Sequence, residues 1–278
     1  MREVAAGIFV EGRYPGVHVG AIASGGQVLL VDSPLRIEDG REWAGQMAAH
    51  GRPRYLALLD HHPDRVLGAR GFDLPILAHD VSREVMAGWQ DTFKGAARPL
   101  GCEADRLKRI TGVSRAVPDL TFQDRMMLQV GNRQVHLRHR PGPMPGAIWV
   151  IVPELRTAFI GDTVTIQEPP FLSEADVEAW LRNLEELRRA EFRNYRLISS
   201  RDGLIRHESV GEMASFLKRV AKRLTAAAKS RVSTETVGGY SKQFLRAYDL
   251  PSSRREQSLL RLQIGLSRLY HRQSLPTA

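Results

Sequence analysis

The sequence predicts a layered α/β sandwich that ends in a helical C-terminal extension. Short apolar runs separated by turn residues predominate in the first part of the chain, as in VGAIAS and QVLLVDS on either side of Gly25 and Gly26. Further along, apolar side chains recur at helical spacing, for example in the stretch VEAWLRNLEEL. We therefore expect a sandwich domain over residues 1–228 and a basic helical extension over residues 229–278.

The predicted elements follow one another in a clear order. A hairpin over 18–33 precedes a helix over 36–50 and a strand over 54–60, and the strand DLPILAHD leads into a helix over 81–94. Four strand-like segments come next: RMMLQVG, RQVHLRHR, GAIWVIVP and RTAFIGD. The later predictions are capping boxes at Ser173, Ser209 and Ser253 that start three helices, a strand at NYRLISS, a linker at STETVGGYS, and an apolar seam of Leu259, Leu262, Leu266 and Leu269 on the last helix.

Composition favours a globular protein outside membranes. The chain has 278 residues, of which 42% are hydrophobic and 26% charged. It contains no apolar run of about 18 residues, and its start lacks the apolar core of a signal peptide. The single cysteine, Cys102, excludes an intrachain disulfide and fits a reducing compartment. We expect a cytoplasmic protein without membrane association.

The positive charge is concentrated in the C-terminal part. The net charge is +9, and residues 201–278 contain fifteen Lys and Arg against six Asp and Glu. This asymmetry is compatible with binding nucleic acid or an acidic partner, and equally with a solvated helical face. Arg254, Arg261 and Arg268 recur every seven residues and are expected to face solvent. The leucine seam of the same helix is expected to pack on the core or on a second copy in a homodimer.

The stretch LALLDHHPDRVLG, residues 56–68, combines metal-ligand types with a fixed positive charge. Asp60, His62 and Asp64 alternate along the chain, and carboxylates and imidazoles are ligands that metal ions prefer. Arg65 follows directly, and its guanidinium is always protonated. The pattern indicates a metal centre in which some ligands have been replaced.

Five stretches in order resemble the metallo-β-lactamase fold over roughly residues 5–222. These are VLLVDSP, LLDHHPDRVLGA, RPGPMPGAIWV, TAFIGD and LISSRDG. The resemblance implies a four-layer αββα sandwich. It also implies a centre where two metal ions, usually zinc, activate a water for attack on an ester, amide, thioester or phosphodiester bond.

Matched to the family pattern, the chain keeps some metal ligands and loses others. The resemblance places the family's ligand positions, in chain order, at Asp60, His62, Asp64, Arg65, Pro143, Asp162 and Arg201. His62, Asp64 and Asp162 are retained in type, and an aspartate stands for the first histidine. Arginine or proline replaces the other three histidines.

The two arginines fall on the same metal of the family pattern. We therefore expect Arg65 and Arg201 to lie against Asp64 and Asp162 and to replace the second cation, with Asp64, Arg65 and Arg201 as candidate catalytic residues. Two hypotheses remain for the first site. Either the cluster holds no metal, or Asp60, His62 and Asp162 bind one hard divalent ion such as manganese, iron or magnesium, with zinc as another candidate.

Three functions are compatible with these features. The first is a diverged, non-classical or inactive hydrolase that binds a small anionic ligand or a partner. The second is a mononuclear-metal hydrolase of an ester or phosphoester, with Arg65 and Arg201 as anion clamps. The third is a nucleic-acid-associated protein that uses the basic C-terminus. Whether the protein is an enzyme is left open by the sequence.

Overall fold

A computed structural model describes residues 1–90, 103 and 114–274, with only the backbone at Ser274. Within these ranges two mixed β-sheets face each other, and helices cover both outer faces. The predicted αββα sandwich is therefore confirmed. Cys102 and the segment 91–94 of the predicted second helix lie outside the described residues.

The first sheet contains seven strands in the described part, in sequential order. The first four pair antiparallel and the last four pair parallel, with the fourth strand belonging to both sets. Their bounds are β1 Arg2–Ala5, β2 Ile8–Glu11, β3 Val19–Ser24, β4 Gln27–Val31, β5 Arg52–Ala57, β6 Ile76–His79 and β7 Leu120–Phe122.

The second sheet contains the remaining six strands of the described residues. Their bounds are β8 Arg125–Val130, β9 Arg133–His139, β10 Ile148–Val152, β11 Thr157–Gly161, β12 Arg196–Ser199 and β13 Gly203–Ile205. The spatial order runs from β13 to β8, and β11 pairs parallel with β12. The sequence did not predict β13, which is only three residues long.

Helices pack on the outer faces of both sheets. Their bounds are α1 Ile37–Ala48, α2 Pro63–Val66, α3 Asp80–Ala87, α4 Val177–Arg188, α5 Glu208–Lys229, α6 Thr234–Gly239, α7 Ser241–Leu245 and α8 Ser252–Ser274. Trp43 and Met47 of α1 and Met86 of α3 are buried on the first sheet. The second sheet carries α4, α5 and the C-terminal helices.

Strand β10 shows why its sequence is a continuous apolar run. Ile148 and Val150 face the layer between the sheets, whereas Trp149 and Ile151 face the outer helices. A strand covered on both faces has no polar side, so the period-two alternation of a half-exposed strand is absent.

The C-terminal helices share one core with the rest of the outer layer. Leu262 and Leu266 of α8 are completely buried together with Leu184 of α4 and Leu217 of α5. The leucine seam thus packs within the chain itself. The boundary at residue 228 and a homodimer through α8 stay predictions.

The predicted linker STETVGGYS is wrong, because residues 234–239 form α6. Ser233 caps this helix by accepting a hydrogen bond from the amide of Thr236 at 3.2 Å. Gly238 allows α6 to approach α8 closely, since a Cβ there would lie 2.7 Å from Oγ of Ser267. The two glycines suggested flexibility, but one of them is needed for packing.

Four predicted helix ends are displaced. Helix α4 is capped by Asp176, whose Oδ1 accepts from Ala179 at 2.9 Å, rather than by Ser173. Helix α5 begins at Glu208, so Ser209 lies inside it, and α8 begins at Ser252. Helix α3 ends at Ala87, with Gly88 as its C-cap. Several polar residues near each start compete as caps, and tertiary packing selects among them.

No helix in the described residues has the length and apolar composition needed to cross a bilayer.

We predict that Leu262→Ala lowers the free energy of unfolding by about 2–5 kcal/mol, because it leaves a cavity in the shared core. The matched control is Leu260→Ala on the same helix, where Leu260 is 42% exposed; its effect should stay within about 0.5 kcal/mol. Urea unfolding monitored by tryptophan fluorescence measures both. Equal stability of the two variants would contradict a shared core.

Candidate functional site

The candidate site lies at the edge where strands of both sheets end. Asp32 follows β4, and the segment 60–65 follows β5. Asp162 follows β11 and Arg201 comes shortly after β12. Since both parallel strand pairs point their carboxyl ends to this edge, the sequence-predicted residues meet there although they are far apart in the chain.

Local hydrogen bonds set the shape of the loop after β5. Oδ1 of Asp60 accepts from the amide of His62 at 2.8 Å, and Nδ1 of His62 accepts from the amide of Asp64 at 3.2 Å. Pro63 occupies the first position of α2, where a missing amide hydrogen costs nothing. The Asp-His-His-Pro-Asp order therefore forms a capped turn by itself.

Arg65 is a fully buried cation between two carboxylates. Its side chain is 0% exposed. Nη1 lies 3.1 Å from Oδ2 of Asp60, and Nη2 lies 2.6 Å from Oδ2 of Asp162. Nη2 has no hydrogen-bond partner among the described residues, so the second contact is an ion pair. Arg65 thus joins the loop after β5 to the end of β11.

Arg201 completes the cluster from the other side. Its Nη1 donates to Oδ2 of Asp64 and to the carbonyl of Gly16, both at 2.8 Å. Nε lies 3.4 Å from both carboxylate oxygens of Asp162. Nη2 lies 3.1 Å and 3.2 Å from the two ring nitrogens of His62. Both guanidinium groups therefore meet at Asp162.

The expected pairing is right for Arg201 and incomplete for Arg65. Arg65 was expected against Asp64 and Asp162, but it contacts Asp60 in place of Asp64. The physical reason is the short helix α2, which directs the side chain of Arg65 back toward the start of the loop. The two arginines consequently cover both predicted metal positions instead of the second alone.

Burial and the two arginine charges lower the pKa of His62 together, but they act in opposite directions on the pKa values of the carboxyl groups. Burial, followed by the nearby charges of Arg201 and Arg65, holds the pKa of His62 well below its ordinary value. Burial also raises the pKa of Asp60. Burial alone would raise the pKa of Asp162, but Arg65 and Arg201 outweigh it and leave that pKa lowered. His62 is therefore neutral and Asp162 is a carboxylate at neutral pH.

Asp32 ties the two sheets together beneath the cluster. Its Oδ1 accepts from the amide of Leu59 at 2.9 Å, and its Oδ2 accepts from Oγ of Ser200 at 2.7 Å. It adopts a positive φ of 58°, which aspartate tolerates better than most residues. Complete burial raises the pKa of Asp32 to about 7.

Phe171 and the C-terminal helix lie over the cluster. The Phe171 ring packs edge-on against the ring of His62, with centroids 4.1 Å apart. The guanidinium carbons of Arg201 and Arg261 lie 5.0 Å and 4.4 Å from the Phe171 centroid. Phe171 therefore makes a cation–π contact with both arginines.

The expectation that the arginines of α8 face solvent is wrong for two of them. Arg261 is 5% exposed; it lies 3.2 Å from Oε2 of Glu168 and donates to the carbonyl of Pro169 at 2.7 Å. Arg254 bonds Glu168 and Glu103. The seven-residue spacing was a visible signal. Glu168, the partner of both arginines, lies about ninety residues earlier in the chain. The spacing of the arginines alone cannot indicate that pairing.

Two further residues near the site have other roles. Nε2 of His61 lies 3.0 Å from Oε2 of Glu174, so this side chain points away from the cluster, as strand-like alternation predicts. Pro143, where the fold resemblance implies a histidine, is buried in the turn after β9.

The residues present do not fit the metal centre that the fold implies. Each of the four candidate ligands, Asp60, His62, Asp64 and Asp162, has a guanidinium nitrogen within hydrogen-bond or ion-pair distance. Across residues 1–90, 103 and 114–274, no group of three or more His, Cys, Asp or Glu is arranged to hold a metal ion. The cluster already contains its own cations.

Comparisons with known proteins give the fold. No family model matches the sequence, and no curated protein matches it. Among solved structures, a metallo-beta-lactamase family protein from Thermus thermophilus superimposes with a TM-score of 0.67 at 16% identity, over 98% of this chain and 95% of that one. A metallo-beta-lactamase from Pontibacter korlensis gives 0.58 at 13% identity, over 76% and 93%. The chain has the metallo-β-lactamase fold.

A stereoselective inverting sec-alkylsulfatase from Pseudomonas sp. is also similar, with a TM-score of 0.68 at 14% identity. The match covers 97% of this chain and 49% of the sulfatase, so the chain spans about half of that protein. Identities this low establish the metallo-β-lactamase fold and leave activity to be argued from the site.

We predict that Arg65→Met lowers the free energy of unfolding by about 3–5 kcal/mol, because buried Asp60 would lose its guanidinium partner and Asp162 would keep only Arg201. Arg182→Met is the matched control, since it removes a pair with Glu178 whose side chains are 64% and 87% exposed; we expect a loss below about 1 kcal/mol. Chemical denaturation at neutral pH measures both. A harmless Arg65→Met would contradict the importance of this ion pair.

A second prediction concerns pH. Because the pKa of Asp32 rises from 3.8 to about 7 on folding, its contribution to stability is complete below the unfolded value and is lost as pH rises through about 7. The unfolding free energy of the native protein should therefore fall between about pH 5 and about pH 8 by about 2 kcal/mol more than that of Asp32→Asn. Asp73→Asn, at an exposed position, is the control. Parallel pH profiles for native protein and Asp32→Asn would show that Asp32 makes no pH-dependent contribution to stability and would refute the prediction.

Proposed function

We propose that this protein is a diverged, hydrolase-like member of the metallo-β-lactamase fold in which an ion-pair cluster replaces the dinuclear metal centre. The main support is the position of Arg65, whose guanidinium is buried between Asp60 and Asp162. Dinuclear hydrolysis needs two cations that lower the pKa of a shared water. Here the carboxylates that would hold those cations are already neutralised.

Charge balance also argues against a free metal position. Two guanidinium groups carry the same formal charge as one divalent ion and, unlike an ion, cannot be displaced from the chain. A divalent ion placed among Asp60, His62 and Asp162 would lie next to both arginines and be repelled by them. We therefore propose that Asp64, Arg65 and Arg201 maintain the shape of the former reaction centre.

Contact with an anionic ligand at this site would fall to Arg201. Its side chain is 10% exposed, whereas that of Arg65 is completely buried. Its guanidinium already binds Asp64, so an anion arriving there competes with a carboxylate. This competition favours a weakly held ligand or a partner surface over a tightly bound substrate.

The alternative is a mononuclear-metal hydrolase that uses Asp60, His62 and Asp162. It requires Arg65 and Arg201 to swing away from the carboxylates and to clamp an anionic substrate. The burial of Arg65 disfavours such movement, because the guanidinium would leave two carboxylates unpaired in the interior.

Metal content decides between the two. The native protein, expressed with zinc, manganese and iron and then dialysed against metal-free buffer, should retain well under one equivalent of each by elemental analysis. Excess zinc or manganese should leave its melting temperature unchanged, since only binding to the folded state would raise it. The positive control is the variant D60H/R65H/P143H/R201H, which restores the histidines that the fold resemblance implies.

Retention of about one equivalent by the native protein, abolished in His62→Ala and Asp162→Ala, would instead support the mononuclear hydrolase. About two equivalents would overturn the proposal entirely.

A further inference from the structure

We propose that the exposed groove between α5 and α7 binds single-stranded nucleic acid through its phosphate backbone, with Arg219, Lys222 and Arg223 as the principal contacts. This surface is separate from the buried ion-pair cluster, so the inference goes beyond the proposed function and does not depend on it.

The groove is concave and lined by cations. Its volume is about 330 Å³. Its lining comprises Arg219, Lys222, Arg223 and Ala226 from α5 with Gln243, Phe244 and Ala247 from α7 and the residues just after it. Three of these seven side chains are positive and none is acidic. An anion in the groove would therefore meet cations on one wall and no opposing carboxylate from the other.

The positive charge here is not neutralised within the described part of the chain. Residues 218–246 contain eight Lys and Arg and a single acidic residue, Glu235. Those eight form no ion pair among residues 1–90, 103 and 114–274. Arg254 and Arg261 on the neighbouring α8, by contrast, are both paired with Glu168. Uncompensated cations on one face produce a field that attracts polyanions.

The spacing suits a chain of phosphates better than a single one. Arg219, Lys222 and Arg223 lie at i, i+3 and i+4 and so project from one face of α5. Lys218 and Lys229 extend the basic stretch to about 17 Å of helix at 1.5 Å per residue. Lys242 and Arg246 add exposed charge from α7 and its C-cap. A flexible strand with repeating negative charge can contact several of these groups at once.

Unpaired bases would find a flat surface beside the phosphates. The guanidinium carbon of Arg223 lies 4.1 Å from the centroid of the Tyr240 ring, in cation–π contact. Arginine planes and aromatic rings are the surfaces on which single-stranded bases stack in proteins. In a duplex the faces of the bases are already stacked on one another and cannot reach these side chains, so we assign the groove to single strands.

An acidic membrane surface is the competing occupant, and the apolar side chains argue against it. A helix that lies in a membrane exposes large apolar residues for insertion. The exposed large apolar side chains of the described residues are Met1, Leu120, Met127, Ile166, Leu204 and Leu260. None of them lies on α5, α6 or α7, whose apolar faces are buried in the core.

The test compares two charge-matched triple variants of the full chain. R219Q/K222Q/R223Q removes three cations from the groove, and R41Q/R52Q/R54Q removes three exposed cations elsewhere. Binding of fluorescently labelled twenty-nucleotide poly(U) and poly(dT) is followed by anisotropy over a range of NaCl concentrations. Vesicles with and without phosphatidylserine, and polyglutamate as a competitor, form the other two arms.

We expect the native protein to bind both oligonucleotides with an affinity that falls steeply with salt. The groove variant should bind at least about tenfold more weakly and lose about 2 from the slope of log Kd against log salt, at about 0.7 per phosphate contact. The control variant should stay within about twofold. Circular dichroism and melting temperature verify that both variants are folded.

Three results would overturn the proposal. They are no binding at low salt, equal losses in both triple variants, or displacement by polyglutamate or phosphatidylserine vesicles at charge concentrations equal to those of the oligonucleotide. This assay does not depend on metal content. A negative result would therefore overturn nucleic-acid binding by the groove without bearing on the proposed ion-pair cluster.

Discussion

The burial of the Arg65 guanidinium between two carboxylates is the constraint on which the site depends. A guanidinium cannot lose its proton at any pH that proteins encounter, so once buried it must be matched by negative charge. Asp60 and Asp162 supply that charge from different sheets. The ion pair therefore does more than stand where the fold resemblance implies a metal ion: it joins the segments after β5 and β11 at the edge where the site lies.

The same constraint accounts for the layers around it. Asp162 pairs with both Arg65 and Arg201. Arg201 in turn contacts Asp64 and His62. Positive charge would accumulate on this side if nothing screened it. Phe171 provides an aromatic face to Arg201 and Arg261, while Glu168 neutralises Arg261 and Arg254. Each addition compensates the charge that the previous one introduced.

The C-terminal helices consequently have two different faces. Inwardly, α8 contributes leucines to the core and arginines to the cover over the site. Outwardly, α5 and α7 present cations that meet no carboxylate in the groove between them. If the cluster is structural, as we propose, the inward face of the C-terminal helices serves the stability of the fold. The outward face of α5 and α7 is then the surface available for binding.

Much of the fold was readable because it depends on local pattern. Apolar runs and glycine turns predicted most of the strands, and the family resemblance of the ordered motifs from VLLVDSP to LISSRDG implied the two sheets and the αββα layers. They also predicted that Asp64, Asp162 and Arg201 would meet. Helix α6 and the cap at Asp176 were not predicted. Glycine occurs both in linkers and at close helix contacts, and several polar residues near a helix start can act as its cap, so tertiary packing decides each case.

By itself, the sequence determined which ionisable groups stand at the ligand positions that the fold resemblance implies, because residue identity alone decides whether a side chain is a cation or a possible ligand for one. Only the tertiary structure decided how those groups pair. Arg65 reaches Asp60 because α2 turns it back, and Arg261 joins Glu168 because α8 folds over the site. Both contacts depend on direction and distance in space, and neither leaves a periodic trace along the chain.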